Sequence, residues 1–131
     1  MIVVDASAVV EAVIGTPAGD VMSGRMAMGD AVGAPAHMPA EVVQVLRRLE
    51  RARVLGPERA LEAVSDLGAL RVSLYSSNSL LDRIWTLRHA MSAYDAAYVA
   101  LAEALEATLI TRDRRLAAAA IGICAVELPT G

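Results

Sequence analysis

The chain has 131 residues, 56% of them hydrophobic, with a mean hydropathy of +0.47 and a formal net charge of -3. That length suits one domain over residues 1–131, able to bury roughly two thirds of the surface its unfolded form exposes, with no separate cofactor domain. All twelve basic residues are arginine, which excludes P-loop NTPase chemistry, built on a phosphate-binding lysine, and every Schiff-base mechanism.

Residues 1–5, Met-Ile-Val-Val-Asp, form a short apolar strand that ends on an acid. The opening lacks the basic stretch of a secretory signal, so a cytoplasmic protein is expected. No apolar run approaches the roughly 20 residues that span a bilayer, and the surplus apolar surface is expected to meet a partner. Residues 6–14 read as helix up to the break Gly15-Thr16-Pro17, and 18–28 as a second helix. A weak strand at 31–36 precedes Pro39, which a first helical turn tolerates, and a helix over 40–53 ends at Gly56-Pro57. Next come a helix over 58–67, a strand over 70–74 and a helix over 79–91, spaced through Leu80, Ile84, Leu87 and Met91. Ser92 opens a helix over 93–106, followed by a strand at 108–111, a short helix at 114–120 and a last strand at 123–128. Cys124, the one cysteine, rules out an internal disulfide and reads as a buried thiol. Strands alternating with helices predict an α/β fold with a mostly parallel sheet covered on both faces.

Asp5, Glu41, Asp95 and Asp113 each stand where a strand or loop gives way to a helix. In an open α/β sheet the ligand crevice lies beyond the carboxyl ends of the strands, so these four can converge from distant parts of the chain. Converging acids raise one another's pKa unless a cation joins them, and hard oxygen donors suit Mg²⁺ or Mn²⁺. Each acid also has a local explanation. Asp5 and Asp113 fit as N-caps, Ser92 and Asp95 approximate a capping box, and Glu41 in a first turn favours the helix dipole. The residues alone leave a metal site and four caps as competing readings.

Four segments add a resemblance: Met-Ile-Val-Val-Asp-Ala-Ser-Ala at 1–8, Ala-Glu-Val-Val-Gln-Val-Leu-Arg-Arg at 40–48, Ser-Ala-Tyr-Asp-Ala-Ala-Tyr-Val-Ala-Leu-Ala-Glu at 92–103, and Leu-Ile-Thr-Arg-Asp-Arg-Arg-Leu at 109–116. In this order and spacing the chain resembles the PIN domain, and within it the VapC toxin ribonucleases of toxin-antitoxin pairs. The resemblance implies a three-layer α/β/α fold with a central five-stranded, mostly parallel sheet. It places the family's acidic quartet on Asp5, Glu41, Asp95 and Asp113 and its small hydroxyl residue on Thr111. The position after Glu41 that is often Asn is Gln44 here.

The implied function is a metal-dependent endoribonuclease, the toxin of a type II pair, hydrolysing RNA phosphodiester bonds with a water activated by Mg²⁺ or Mn²⁺. Asp5 and Asp95 are the expected direct ligands, with Asp113 and Glu41 holding a second ion or water. Ser7, Arg112, Arg114 and Arg115 are candidates for contacting RNA. The expected partners are RNA, a small cognate antitoxin and a second copy of the chain, with no membrane. The antitoxin groove is expected among residues 6–28 and 40–53, where Met22, Met26, Met28 and Val45 offer adaptable contacts. The scarce aromatics, Trp85, Tyr75, Tyr94 and Tyr98, do not suggest a platform for stacking bases.

Three other readings stand beside this one. A receiver domain or a haloacid-dehalogenase-type phosphatase is disfavoured by the absence of lysine, and the latter also by the lack of its Asp-x-Asp. A metal-free ribonuclease would need His37 and His89 as an acid/base pair. A non-catalytic PIN-like interaction module, or a housekeeping PIN nuclease without an antitoxin, remains as the alternative.

Overall fold

A computed structural model describes residues 1–130. Its sheet has five strands, β1 (Ile2–Val4), β2 (Val32–Pro35), β3 (Ser73–Tyr75), β4 (Thr108–Ile110) and β5 (Val126–Glu127). They lie in the order β3-β2-β1-β4-β5, and every pairing is parallel. Parallel neighbours need crossovers, which the helices supply: α1 (Ala6–Ile14), α2 (Asp20–Ala27), α3 (Met38–Arg51), α4 (Pro57–Ala69), α5 (Leu81–Thr86), α6 (Ala93–Ala104) and α7 (Arg114–Ala120). Right-handed crossovers put α1 to α4 on one face and α5 to α7 on the other, the expected three-layer α/β/α arrangement.

Burial follows from this layering. Ile2, Val3, Val4, Leu109 and Ile110 are fully buried because the two central strands are covered on both sides. Each such side chain contributes about 1.5–3 kcal/mol of hydrophobic stabilisation. Helix α3 presents Met38, Val42, Val45, Leu46 and Leu49 along one stripe, with Arg47, Arg48 and Arg51 outside. Helix α6 runs over β1, β2 and β4 and is buried through Ala96–Ala102. Its run of alanines lets the backbone lie close to the sheet.

Several boundaries differ from the sequence reading. The helix expected over 79–91 is a 3-10 turn at Asn78–Leu80, then α5, then further turns. The Thr86 hydroxyl donates to Arg83 O at 2.7 Å, and the Leu87 N–H is shared between Arg83 O and Ile84 O. These tighter bonds end the α-helix. Helix α4 continues through Gly68 to Ala69, so β3 begins at Ser73 rather than residue 70. The last strand shrinks to Val126–Glu127 because the Ile123 and Cys124 N–H groups both turn back to Ala120 O. Cys124 is half-buried rather than buried, and burial pushes its thiol pKa up, which keeps it protonated.

Met22 corrects the groove expected among the early helices, because it is 1% exposed and belongs to the core. Met28 is exposed and Met26 and Val45 are half-buried. Within the expected 40–53 span, an apolar groove lies between α3 and α4, with Val43, Leu61 and Val64 on its walls. No described helix is long and apolar enough to cross a membrane.

Candidate active site

Strand order reverses between β1 and β4: the chain leaves β1 towards β2 and β3, then crosses back to β4 on the other side. Neighbouring crossovers therefore diverge there, opening a crevice beyond the carboxyl ends of these two strands. Asp5 follows β1 and Thr111, Arg112 and Asp113 follow β4, with Val4 opposite Ile110 in the ladder and the Asp5 N–H bonded to Ile110 O at 3.1 Å.

Asp5 is 5% exposed, and its carboxylate is held on both oxygens. Oδ1 accepts from the Ser7 hydroxyl at 2.6 Å and from the Ala8 N–H at 3.0 Å, which caps α1. Oδ2 accepts from the Thr111 hydroxyl at 2.5 Å. Thr111, fully buried, also accepts the Asp113 N–H at 3.0 Å, so one hydroxyl links the two acids. Ser7 in turn accepts the Arg112 N–H at 2.8 Å. Despite three donors, burial raises the Asp5 pKa, and the charge of Asp113 adds to the rise.

Asp95 lies in the first turn of α6, behind a Ser92 cap whose hydroxyl accepts the Asp95 N–H at 3.2 Å. Its pKa is raised by burial and then by Asp113, against opposing contributions from Arg115, Ser92 and His37. Asp113 is thus coupled to both Asp5 and Asp95. It also caps α7, accepting from Arg115 N–H at 2.9 Å and Leu116 N–H at 3.3 Å. The caps that the sequence offered as an alternative are real for Asp5 and Asp113, and the same carboxylates still share the crevice.

Glu41 has closer partners of its own. Its Oε1 accepts from the Tyr98 hydroxyl at 3.1 Å and lies 2.7 Å from His37 Nε2. That approach lacks hydrogen-bond alignment, and Nε2 is buried without a bonded partner among the described residues. The His37 ring stands edge-on to Tyr94 and Tyr98, at centroid distances of 5.4 and 5.2 Å. Burial, then the charge of Glu41, push the Tyr98 pKa up, so the phenol remains a donor to Glu41. The sequence reading missed His37 and Tyr98 as Glu41's partners. The available signal was a tyrosine in a buried helix, since a buried phenol seeks an acceptor. His89 is exposed in the turns after α5.

The three arginines around Asp113 divide. Arg112 is engaged within the chain, donating Nη1–H to Pro129 O and lying 3.8 Å from Glu11. Arg114 and Arg115 are exposed, and Arg115 shares a cleft with Ser92 and Asp95.

All the candidate donors are oxygens, and after burial the charge of Asp113 adds to the raised pKa of both Asp5 and Asp95. Both properties fit a hard divalent cation. Among the described residues no three His, Cys, Asp or Glu side chains are gathered closely enough to hold an ion as they stand. Mg²⁺ is ordinarily held by one or two carboxylates with water and substrate phosphate completing the shell, so the coupled pairs Asp5–Asp113 and Asp95–Asp113 suffice in kind.

A family model described as PIN domain matches residues 2–122. Ribonuclease VapC12 of Mycobacterium tuberculosis is 39% identical over 117 residues, covering 89% of this chain and 90% of its own. Ribonuclease VapC1 of the same organism is 39% identical over 127 residues, 96% of each chain. Ribonuclease VapC3, also from that organism, is 38% identical over 119 residues, 90% of this chain and 86% of its own. The crystal structure of PAE2754 from Pyrobaculum aerophilum shares the fold, with a TM-score of 0.62 at 18% identity over 95% of this chain and 87% of that one.

Proposed function

The chain belongs to the PIN-domain family, and on that premise we propose that it is a VapC-type toxin endoribonuclease that cuts RNA with Mg²⁺ or Mn²⁺ held by Asp5, Asp95 and Asp113. The observation that carries the catalytic part is the meeting of Asp5 and Asp113 at the switch point between β1 and β4, with Asp95 electrostatically coupled to Asp113. When bound, the cation would supply a nucleophile at neutral pH and neutralise charge developing on the phosphate.

The chain's own residues prepare that chemistry. Ser7 and Thr111 fix the Asp5 carboxylate from both sides, so its orientation is set before substrate arrives. Thr111 sets the start of the Asp113 turn through the same hydroxyl. The Tyr98 hydroxyl holds Glu41, with the His37 ring beside it, and there Glu41 would orient water or join a second ion. Exposed Arg114 and Arg115 are the proposed contacts for RNA phosphate, Arg115 in the cleft that Asp95 also lines. A small cognate antitoxin is the proposed protein partner, and the α3/α4 groove with Val43, Leu61 and Val64 is the apolar face offered to it. Homodimerisation, expected from the resemblance, is proposed alongside.

The test is cleavage of a mixed cellular RNA pool by purified protein in Mg²⁺, Mn²⁺ or EDTA, with Asp95→Asn as the companion variant. Cutting is expected with either metal, to vanish in EDTA, and to fall at least about a hundredfold in the variant, as loss of several kcal/mol of transition-state stabilisation requires. Cleavage that persists in EDTA would sink the metal reading. No cleavage under any condition would return the acids to capping alone.

Thr111→Val preserves shape and removes only the hydroxyl. Because Thr111 acts on the acids rather than on the phosphate, cleavage should drop about tenfold, with half-saturation shifted to higher Mg²⁺. An unchanged Mg²⁺ dependence would show that the hydroxyl serves the fold alone.

A further inference from the structure

Trp85, the chain's one tryptophan, is 66% exposed on α5. Core packing does not account for it, because Ile84 and Leu87 already supply the inward side of that segment. The Arg88 guanidinium lies 4.3 Å from the indole centroid and Nη1–H donates to Trp85 O at 2.9 Å, so a cation caps the ring and ties it to its own backbone. A groove of about 430 Å³ beside the ring is lined by Leu81, Asp82, Ile84, Trp85, Arg88 and Ala93. Ala93 is the first residue of α6, two before Asp95, and the adjoining cleft is lined by Ser92, Asp95 and Arg115. The groove beside the indole, on α5, thus reaches the first turn of α6, the turn that carries Asp95.

We propose that Trp85, steadied by Arg88, is a stacking platform for an unpaired RNA base a short distance along the strand from the cleaved phosphate. This rests on the ribonuclease reading above. Every base offers a π-face, and an exposed indole backed by a cation is the kind of surface on which single strands stack. Arg88 at the ring and Arg115 in the cleft with Asp95 supply one cation at each place, which suits a phosphate backbone running between them. The platform reverses the expectation that this chain lacks one: aromatics are few, but this one faces solvent next to the acids.

Trp85 is its own reporter. The experiment titrates the Asp5→Asn chain in Mg²⁺ with a single-stranded, mixed-sequence RNA of roughly ten nucleotides, following indole emission. Binding of the same RNA, labelled, is then compared with Trp85→Ala and Trp85→Phe in that background, and wild-type and Trp85→Ala cleavage kinetics are run in parallel. Saturable quenching is expected, with binding about tenfold weaker for Trp85→Ala and largely retained for Trp85→Phe. In cleavage, Trp85→Ala should raise KM and leave kcat unchanged. RNA binding that leaves the emission untouched, or an alanine variant that binds and cuts like its parent, overturns the platform while the ribonuclease stands. Emission that changes only on concentrating the protein also overturns it and gives the face to a second copy. A wild type that neither binds nor cuts RNA overturns both readings together. Because the side chain is exposed, its replacement leaves the core intact, and Trp85→Phe separates loss of stacking from loss of fold.

Discussion

Asp5→Asn is expected to lower kcat/KM for RNA by at least about a hundredfold while raising the melting temperature of the metal-free protein. The two effects share one cause. The carboxylate is buried beside Asp113, and burial is the main reason its pKa stands above the ordinary 3.8. An acid with a raised folded pKa is more favourable protonated than ionised in the native state, so it subtracts stability once it ionises. Stability therefore falls as pH rises from about 3.8 through the raised folded value, where the native state holds the extra proton. Asparagine removes the charge and still caps α1, since Asn and Asp are equivalent at that position. The melting temperatures of variant and wild type should thus converge in acid and separate as pH rises towards neutrality. Mg²⁺ should raise the wild-type melting temperature by mass action and leave the variant unmoved. A capping acid with no other role would behave differently: the variant would melt like wild type at every pH and cut RNA equally well.

Gly19→Ala is expected to destabilise the fold by about 3 kcal/mol, seen as a melting temperature lower by roughly 10 °C. Gly19 has ordinary backbone angles, φ -71° and ψ -20°, so the cost is one of space. A β-carbon there would stand 2.5 Å from Ala12 Cα and Glu11 O and 2.6 Å from Ala12 N. All three are backbone atoms of α1, which no side-chain rotation can move aside. The same helix begins at Asp5, so relief of the clash shifts the element that aims the carboxylate, and activity should fall along with stability. Gly24→Ala, within α2 where an added β-carbon meets nothing within 4 Å, is the control. It should stabilise by about 0.5–1 kcal/mol through helix propensity. Equal melting temperatures for the two variants would show that α1 yields without cost.

The elements most readable in the sequence were those whose local and tertiary preferences agree. Ile2–Val4 is apolar because both faces of its strand are covered, and α3 carries its stripe at helical spacing because one side meets the core. The helix over 79–91 misled because Leu80, Ile84, Leu87 and Met91 keep helical spacing while Thr86 competes for the Arg83 carbonyl. Met22 misled because a methionine suits a core as well as a groove, and periodicity in a short helix does not say which. The contacts of Arg112 with Pro129 and Glu11, distant in sequence, were not legible in the motif around Asp113.

The sequence by itself determined the parallel α/β class, the family and the positions of the four acids. Strand hydrophobicity, helix breaks and short motifs are local properties that survive without coordinates. The tertiary structure decided which acids act on one another and what holds each. That Asp5 is a buried carboxylate and not a surface cap depends on what the fold packs over it, including Thr111, which donates to it from 106 residues away. The Tyr98 hydroxyl that donates to Glu41 likewise comes from 57 residues along the chain, on α6. The exposure of Trp85 follows from its place on the outer side of α5, with Ile84 and Leu87 turned to the core. Electrostatics and exposure depend on distance through space, and the same residue in the same local motif can be inert or functional according to what the fold brings beside it.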